Sequence, residues 1–246
     1  MSLCVIRLFD LNPRVDAQNH AARFARDGRV QVRDVLTAET AANVRTILAR
    51  HTEWGIAWQA GSNGPNLLRS AELREIPPAR QREMIEAIHA TARQGDYAVR
   101  FTQYPMLNAY LGKWAPGSPH DLLLEHINDQ PFLDLVRTVT GIPELVKADA
   151  QATLFGPGDF LSLHTDSHVA EGWRVAYVLN FAIDDWKPDW GGYLNFLNDD
   201  GDVIEGWRPR FNALNLIRVP QPHQVTYVPP FAPLGRYAIT GWFRDH

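Results

Sequence analysis

The sequence predicts an α+β fold: helices over about residues 15–144 brace an antiparallel β-sandwich over about residues 145–246, within a single domain spanning 1–246. Three observations carry that reading. Before residue 145, apolar residues recur mostly at helical spacing; after it they fall in short β-branched and aromatic runs. Gly, Pro, Asn and Asp separate those runs. Neither a low-complexity linker nor an internal repeat divides the two halves.

In chain order, "RVQVRDVL" spaces Val30, Val32 and Val35 as a short strand-like lead. Thr37 then caps "AETAANVRTILARH", where Val44, Ile47, Leu48 and His51 follow helical spacing. After a loop containing "GSNGPN", Met84, Ile85 and Ile88 form one face of a helix that starts near Pro78 and stops near Gly95. "PFLDLVRTVTG" predicts another helix, with Pro131 early and Gly141 at the stop. "DFLSLH", "WRVAYVLNFAI", "GGYLNFL", "FNALNLIRV", "HQVTYVP" and "GRYAITGWF" follow as strands. In the last, period two puts Tyr237, Ile239 and Gly241 on one face and Arg236, Ala238, Thr240 and Trp242 on the other.

Composition narrows the function classes. A net charge of −4 gives no general pull toward nucleic acid or an anionic membrane, so neither is an expected partner. No apolar run approaches the roughly 20 residues that span a bilayer, and "MSLCVIRLFDLNP" lacks the pattern of a secretory leader. The single Cys4 leaves no internal disulfide framework and no thiolate-rich zinc site, which fits a cytoplasmic location. Any metal is therefore held by imidazole and carboxylate.

"LHTDSHV" sets Asp166 between His164 and His168. Nine histidines in 246 residues make a His-x-Asp pair an ordinary coincidence, about 0.7 per chain, so context decides. His164 ends a strand that follows a Gly-Pro-Gly turn, and residues i and i+2 of an extended chain point the same way. His223, 57 residues after Asp166, follows Pro220 and Pro222 and opens another strand. Two histidines and one carboxylate occupy one face of an octahedral ion and leave three positions open, as non-haem Fe(II) acting on O2 requires. The bland alternative is a pair of strand-end histidines bonded to backbone. His168 falls in a segment that reads as a loop and is placed nearby; a zinc hydrolase built on His164, Asp166 and His168 is one rival reading. His20, His51, His89, His120 and His126 are expected in surface or core roles. Arg236, 13 positions after His223, opens a strand of apolar and small residues; it either holds an anion inside or extends into solvent at an edge.

Taken together, His-x-Asp, His and Arg in this order and spacing resemble the 2-oxoglutarate/Fe(II)-dependent dioxygenases, most nearly their prolyl 4-hydroxylase-like branch. "GDFLSLHTD", "RVAYVLNFAIDDWKPDWGGYLNFL", "PHQVTYV" and "RYAITGWF" carry the likeness over about residues 145–244, with a looser match in "ARDGRVQVRDVLTAETA". The resemblance implies a double-stranded β-helix (jelly-roll) core and an oxygenase that uses Fe(II), 2-oxoglutarate and O2. It implies that His164, Asp166 and His223 bind iron and that Arg236 holds the distal carboxylate of 2-oxoglutarate. Thr240 and Tyr177 are the further cosubstrate candidates, Thr240 through strand period and Tyr177 through its phenol. Many relatives have a tyrosine where this chain has Phe155, which cannot hydrogen-bond a carboxylate. A prolyl residue of a peptide or protein is the expected substrate by resemblance, a small molecule the alternative.

Strand period lines the pocket with Phe160, Tyr177, Leu179, Leu214 and Trp242. Arg174 faces either substrate or a surface carboxylate. Trp54 and Trp58, beside a Gly/Asn-rich stretch, suit a substrate-covering loop, with "RFTQYPMLNAYLG" in the same wall. A jelly-roll that binds a metal or ligand without oxidising anything is the rival from another class. Nothing in the sequence speaks to oligomeric state.

Overall fold

The computed structural model describes residues 8–166 and 172–246. The chain alternates helices and strands before the sheet-rich part: α1 (Ala17–Asp27), β1 (Arg29–Arg33), α2 (Ala38–Arg50), β2 (Gly55–Ala60), β3 (Asn63–Leu68), α3 (Ser70–Glu75), α4 (Pro78–Arg93), β4 (Ala98–Tyr104), α5 (Met106–Leu111), α6 (Pro119–Ile127) and α7 (Gln130–Thr140). The strands β5 (Lys147–Ala148), β6 (Gln151–Phe155), β7 (Phe160–His164), β8 (Trp173–Phe181), β9 (Leu194–Leu197), β10 (Val203–Trp207), β11 (Phe211–Arg218), β12 (His223–Val225) and β13 (Arg236–Arg244) follow.

Local chemistry explains the boundaries the sequence predicts. Thr37 caps α2 by accepting the Thr40 amide, and Gly141 ends α7 at φ 67°, a backbone conformation that costs glycine little. The strands join one antiparallel path, β1-β11-β8-β13-β6-β4-β7-β12-β9-β10. From β6 to β13 the chain crosses between the two ends of that path: β6, β8, β11 and β13 lie in one half, β7, β9, β10 and β12 in the other. That interleaving is the jelly-roll, curled so that its two halves face each other across a cavity.

The helices back the outer face of the first half. Phe24, Val44, Leu48, Phe132 and Val136 pack with Val175, Leu179, Leu214, Ile239 and Phe243 in one core. A second, smaller cluster around Phe155, Phe196, Trp207, Ile217 and Val228 lies between the halves. The N-terminal part does more than brace the sandwich, because β1 extends its first half and β4 links the two halves. "HTEWGIAWQAGSNGPNLLRS" is a hairpin rather than an irregular loop, and Trp58, Pro65 and Leu67 from it line the cavity. It forms the β2–β3 hairpin, with β2 paired to β4 from Gly55↔Gln103 to Ala60↔Ala98. No described helix is long and apolar enough to cross a membrane.

Candidate metal centre

Two neighbouring strands of the second half deliver the histidines. β7 and β12 pair antiparallel with His223 opposite His164 and Val225 opposite Leu161, so β7 carries one extra residue between them. A bulge of that kind restores parity. Leu161 and His164, three residues apart, both line the cavity. Asp166, just past the strand, completes the group: one ligand atom from each of His164, Asp166 and His223 lies within 4.8 Å of the others.

The imidazoles are oriented from behind. His164 Nδ1 is 3.0 Å from the Ser162 carbonyl and His223 Nδ1 is 2.8 Å from the Gln221 carbonyl. A carbonyl only accepts, so each Nδ1 carries the proton and donates it, which leaves both Nε2 lone pairs facing Asp166. Each Nε2 stands 3.6 Å from an Asp166 oxygen. Two lone pairs and a carboxylate converge there with no proton between them, a donor set that fits a cation. Burial, with His223 alongside, pushes the His164 pKa down and keeps its ring neutral. These three residues fit a divalent ion with N and O preferences, Fe(II) among them.

Across the cavity, Arg236 at the head of β13 is buried, and its Nε donates to the Gly192 carbonyl at 2.7 Å. Its guanidinium carbon lies 4.4 Å from the centre of the Phe155 ring, which itself stacks on Phe101. A Cβ at Gly192, where φ is +66°, would sit 2.8 Å from Arg236 Cδ, so glycine lets the arginine stem lie against this turn. Trp186 pins the same turn by donating Nε1 to the Gly191 carbonyl at 3.0 Å. The two terminal nitrogens of Arg236 make no hydrogen bond among the described residues. Burial lowers its pKa to about 10, partly offset by Asp159, so it stays charged at neutral pH. Asp159 is buried too. It takes Arg100 Nη1 at 2.6 Å and the Gly156 amide at 2.8 Å, yet desolvation outweighs these and lifts its pKa to about 6. The resulting charge at this end is positive, which suits one carboxylate.

The cavity between them measures about 760 Å³. Thr240, Trp58 and Trp242 line it as the sequence predicts, and so does Phe101 from "RFTQYPMLNAYLG". Other expectations need correction. Tyr177 borders the cavity, but its hydroxyl donates to the Asp149 carbonyl at 2.8 Å, so its phenol is spent on the fold and not on a cosubstrate. Leu179 and Leu214 face the helices, and Phe160 lies in a separate groove with His89 and Arg93. Leu179 and Leu214 share a face, as strand period has them, but which face is inner follows from the register; Phe160 parts from His164 through the extra residue in β7. Arg174 is half-exposed and pairs with Asp245 at 3.1 Å, the surface-carboxylate reading. Trp54 packs against Tyr237 on the helix side. His168 lies outside the described residues, and the described third ligand is His223. Sequence reasoning missed Trp173, stacked on Trp242 at 4.0 Å, and the cavity-facing amide of Gln151; Gln103 lies in the predicted wall segment "RFTQYPMLNAYLG" but was not singled out. Only the pairing of β4, β6 and β13 reveals those two glutamines.

Residues 150–244 match the 2OG-Fe(II) oxygenase superfamily. No curated protein matches the chain in sequence. Among solved structures, a Pseudomonas putida prolyl-4-hydroxylase is 17% identical, with a TM-score of 0.57 over 97% of this chain and 96% of that one. A 2OG-Fe(II) oxygenase family oxidoreductase from Burkholderia pseudomallei is 12% identical, with a TM-score of 0.59 over 97% and 94%. The alpha-ketoglutarate-dependent epimerase SnoN from nogalamycin biosynthesis is 16% identical, with a TM-score of 0.53 over 93% and 82%. At these identities the likeness is one of fold.

Proposed function

We propose, on the premise that residues 150–244 are a 2OG-Fe(II) oxygenase core, that this chain hydroxylates a C–H bond of a prolyl residue in a peptide or protein. The observation that carries the oxygenase chemistry is the pairing of an inward-facing His-Asp-His group with a buried arginine across one cavity. The prolyl substrate rests on the likeness to prolyl 4-hydroxylases in motif order and on the similarity to the P. putida enzyme.

In this reading His164 and His223 would hold Fe(II) through their Nε2 atoms and Asp166 through its carboxylate. The iron, with 2-oxoglutarate and O2, supplies the oxidation that puts one oxygen atom into the substrate C–H bond and the other into succinate, with release of CO2. The chain's own residues orient and enclose. The Ser162 and Gln221 carbonyls fix the tautomer that presents Nε2. Arg236 holds the distal carboxylate of the keto acid, and Thr240 lies farther along the same strand face. Phe155 replaces the tyrosine of many relatives; it supports the guanidinium from below with its ring, so the carboxylate relies on Arg236 for its charged contact. Trp58 and Trp242 wall the substrate side and exclude water.

Anaerobic addition of Fe(II) and 2-oxoglutarate to the apoprotein tests the centre. A weak visible metal-to-ligand charge-transfer band is expected only with both present, and absent in His223→Ala. A band that survives in His223→Ala, or equal zinc binding by both proteins with no band, overturns the assignment.

A further inference from the structure

We infer that Gln103 and Gln151 are specificity-determining residues that read the uncharged amide of a substrate residue lying within a polypeptide, so that a free amino acid is rejected. This rests on the function proposed above and names what the far side of its cavity recognises.

Three adjacent strands build the feature. β4 pairs with β6 so that Gln103 stands opposite Thr153, and β6 pairs with β13 so that Gln151 stands opposite Thr240. All four side chains line the cavity. They form a patch of amides and hydroxyls in a wall otherwise made of groups such as Phe101, Leu194 and Trp242. Gln103 is 3% exposed, and its side-chain amide makes no hydrogen bond among the described residues. The side chains of Gln151 and Thr240 make none either, and Thr153 Oγ1 reaches only the Ala238 carbonyl, at 3.5 Å. A buried amide left unpaired is unfavourable, and one facing a cavity is paired when a ligand arrives.

The chemistry of the patch selects that ligand. A carboxamide offers two donors and an acceptor, and so complements a group that itself carries both C=O and N–H, as a peptide unit does. Charge points the same way. Among the described lining residues, the ionisable groups apart from the His-Asp-His group and Arg236 are Tyr97 and Tyr177. Burial pushes both phenols up, so both are neutral. A free amino acid would bring an ammonium and a carboxylate into a space with no spare counter-charge. Position sets the far end of the patch apart from the head of β13: Thr240 lies four residues beyond Arg236, about 13 Å of backbone along the strand. Gln103 stands one step nearer, bridging the two regions.

The test uses the neutral tripeptide acetyl-Ala-Pro-Ala amide and free L-proline as probes. Binding is read by fluorescence of the tryptophans, three of which (Trp58, Trp173 and Trp242) line the cavity, anaerobically with and without Fe(II) and 2-oxoglutarate. Succinate release is measured in parallel. The capped peptide should bind at least tenfold more tightly than L-proline. Gln103→Leu, Gln151→Leu and the equal-sized Gln103→Glu should each weaken peptide binding about tenfold, with a smaller shift in the 2-oxoglutarate titration. L-proline binding as tightly as the peptide, no peptide binding at millimolar concentration, or glutamine variants that move only the 2-oxoglutarate titration would overturn the inference. Peptide selectivity without succinate release would sink the oxygenase reading and leave the inference standing. Succinate release with peptide binding indifferent to both glutamines would do the reverse.

Discussion

The two faces of β13 ask opposite things of their side chains. Tyr237, Ile239 and Phe243 face the helices, where Phe243 meets the rings of Phe132 and Tyr177 in a closely packed core. Arg236, Thr240 and Trp242 face the cavity, where an arginine is buried with two nitrogens unpaired. The first face is packed by apolar and aromatic neighbours; on the second, several polar groups await something else. One strand thus separates the part of the molecule that supplies stability from the part that spends it on a site. Substitutions on the two faces should therefore fail in different measurements.

The largest effect is expected at the metal group. His223→Ala should reduce 2-oxoglutarate turnover to background while the stability of the apoprotein in urea unfolding falls by only about 1 kcal/mol, for the lost hydrogen bond to the Gln221 carbonyl. Next is Phe243→Ala on the opposite face, expected to cost about 3–5 kcal/mol of stability from lost burial and cavity formation. Urea unfolding measures it, and the charge-transfer band of the protein that remains folded should be intact.

One buried histidine and the buried arginine sharpen the contrast. His120, packed on Tyr104 and bonded to Thr52 at 2.8 Å, lies on the helix side, and burial lowers its pKa to about 4 from 6.5. Its folded value is depressed, so the unfolded chain binds the extra proton between those limits. Stability should be full above pH 6.5 and fall by about 3 kcal/mol as pH drops toward 4. A His120→Gln variant should flatten that slope in urea titrations at stepped pH; an unchanged slope would assign it elsewhere. The smallest effect is that of Arg236→Met. Losing a charged hydrogen bond worth about 1.5–3 kcal/mol should raise the KM for 2-oxoglutarate roughly 10- to 150-fold. Stability should hold or rise, because a desolvated cation is removed. A fall in thermal midpoint with KM for 2-oxoglutarate unchanged would place Arg236 on the structural side of the comparison.

How much of this was legible in the sequence follows from the range of each interaction. The helix at Thr37, the stop at Gly141 and the alternation of β13 arise from contacts within a few residues, so the sequence predicts them well. The histidines and Asp166 were legible through order and spacing. The "GSNGPN" stretch reads as a loop because a hairpin turn shares the same Gly/Asn chemistry, and only pairing with β2 makes its second half strand. Tyr177 misled because strand period gives a face but not the end of a long side chain; the Asp149 carbonyl takes its hydroxyl from a segment 28 residues away.

By itself, then, the sequence determined the change in texture near residue 145, the helix caps, the strand periods and the identity of the groups that can ligate a metal. Those are set by local sterics and by the chemistry of single side chains. Tertiary structure alone decided which face of each strand became the cavity, through register and the extra residue in β7 that turns His164 toward His223. It also gathered Gln103, Thr153, Gln151 and Thr240 from three strands into one polar patch. Such gatherings depend on pairings between residues 50 to 89 apart in the chain, counted from Gln103 to Thr153 and from Gln151 to Thr240. No local pattern encodes them, because the free energy that selects one register is spread over the whole core.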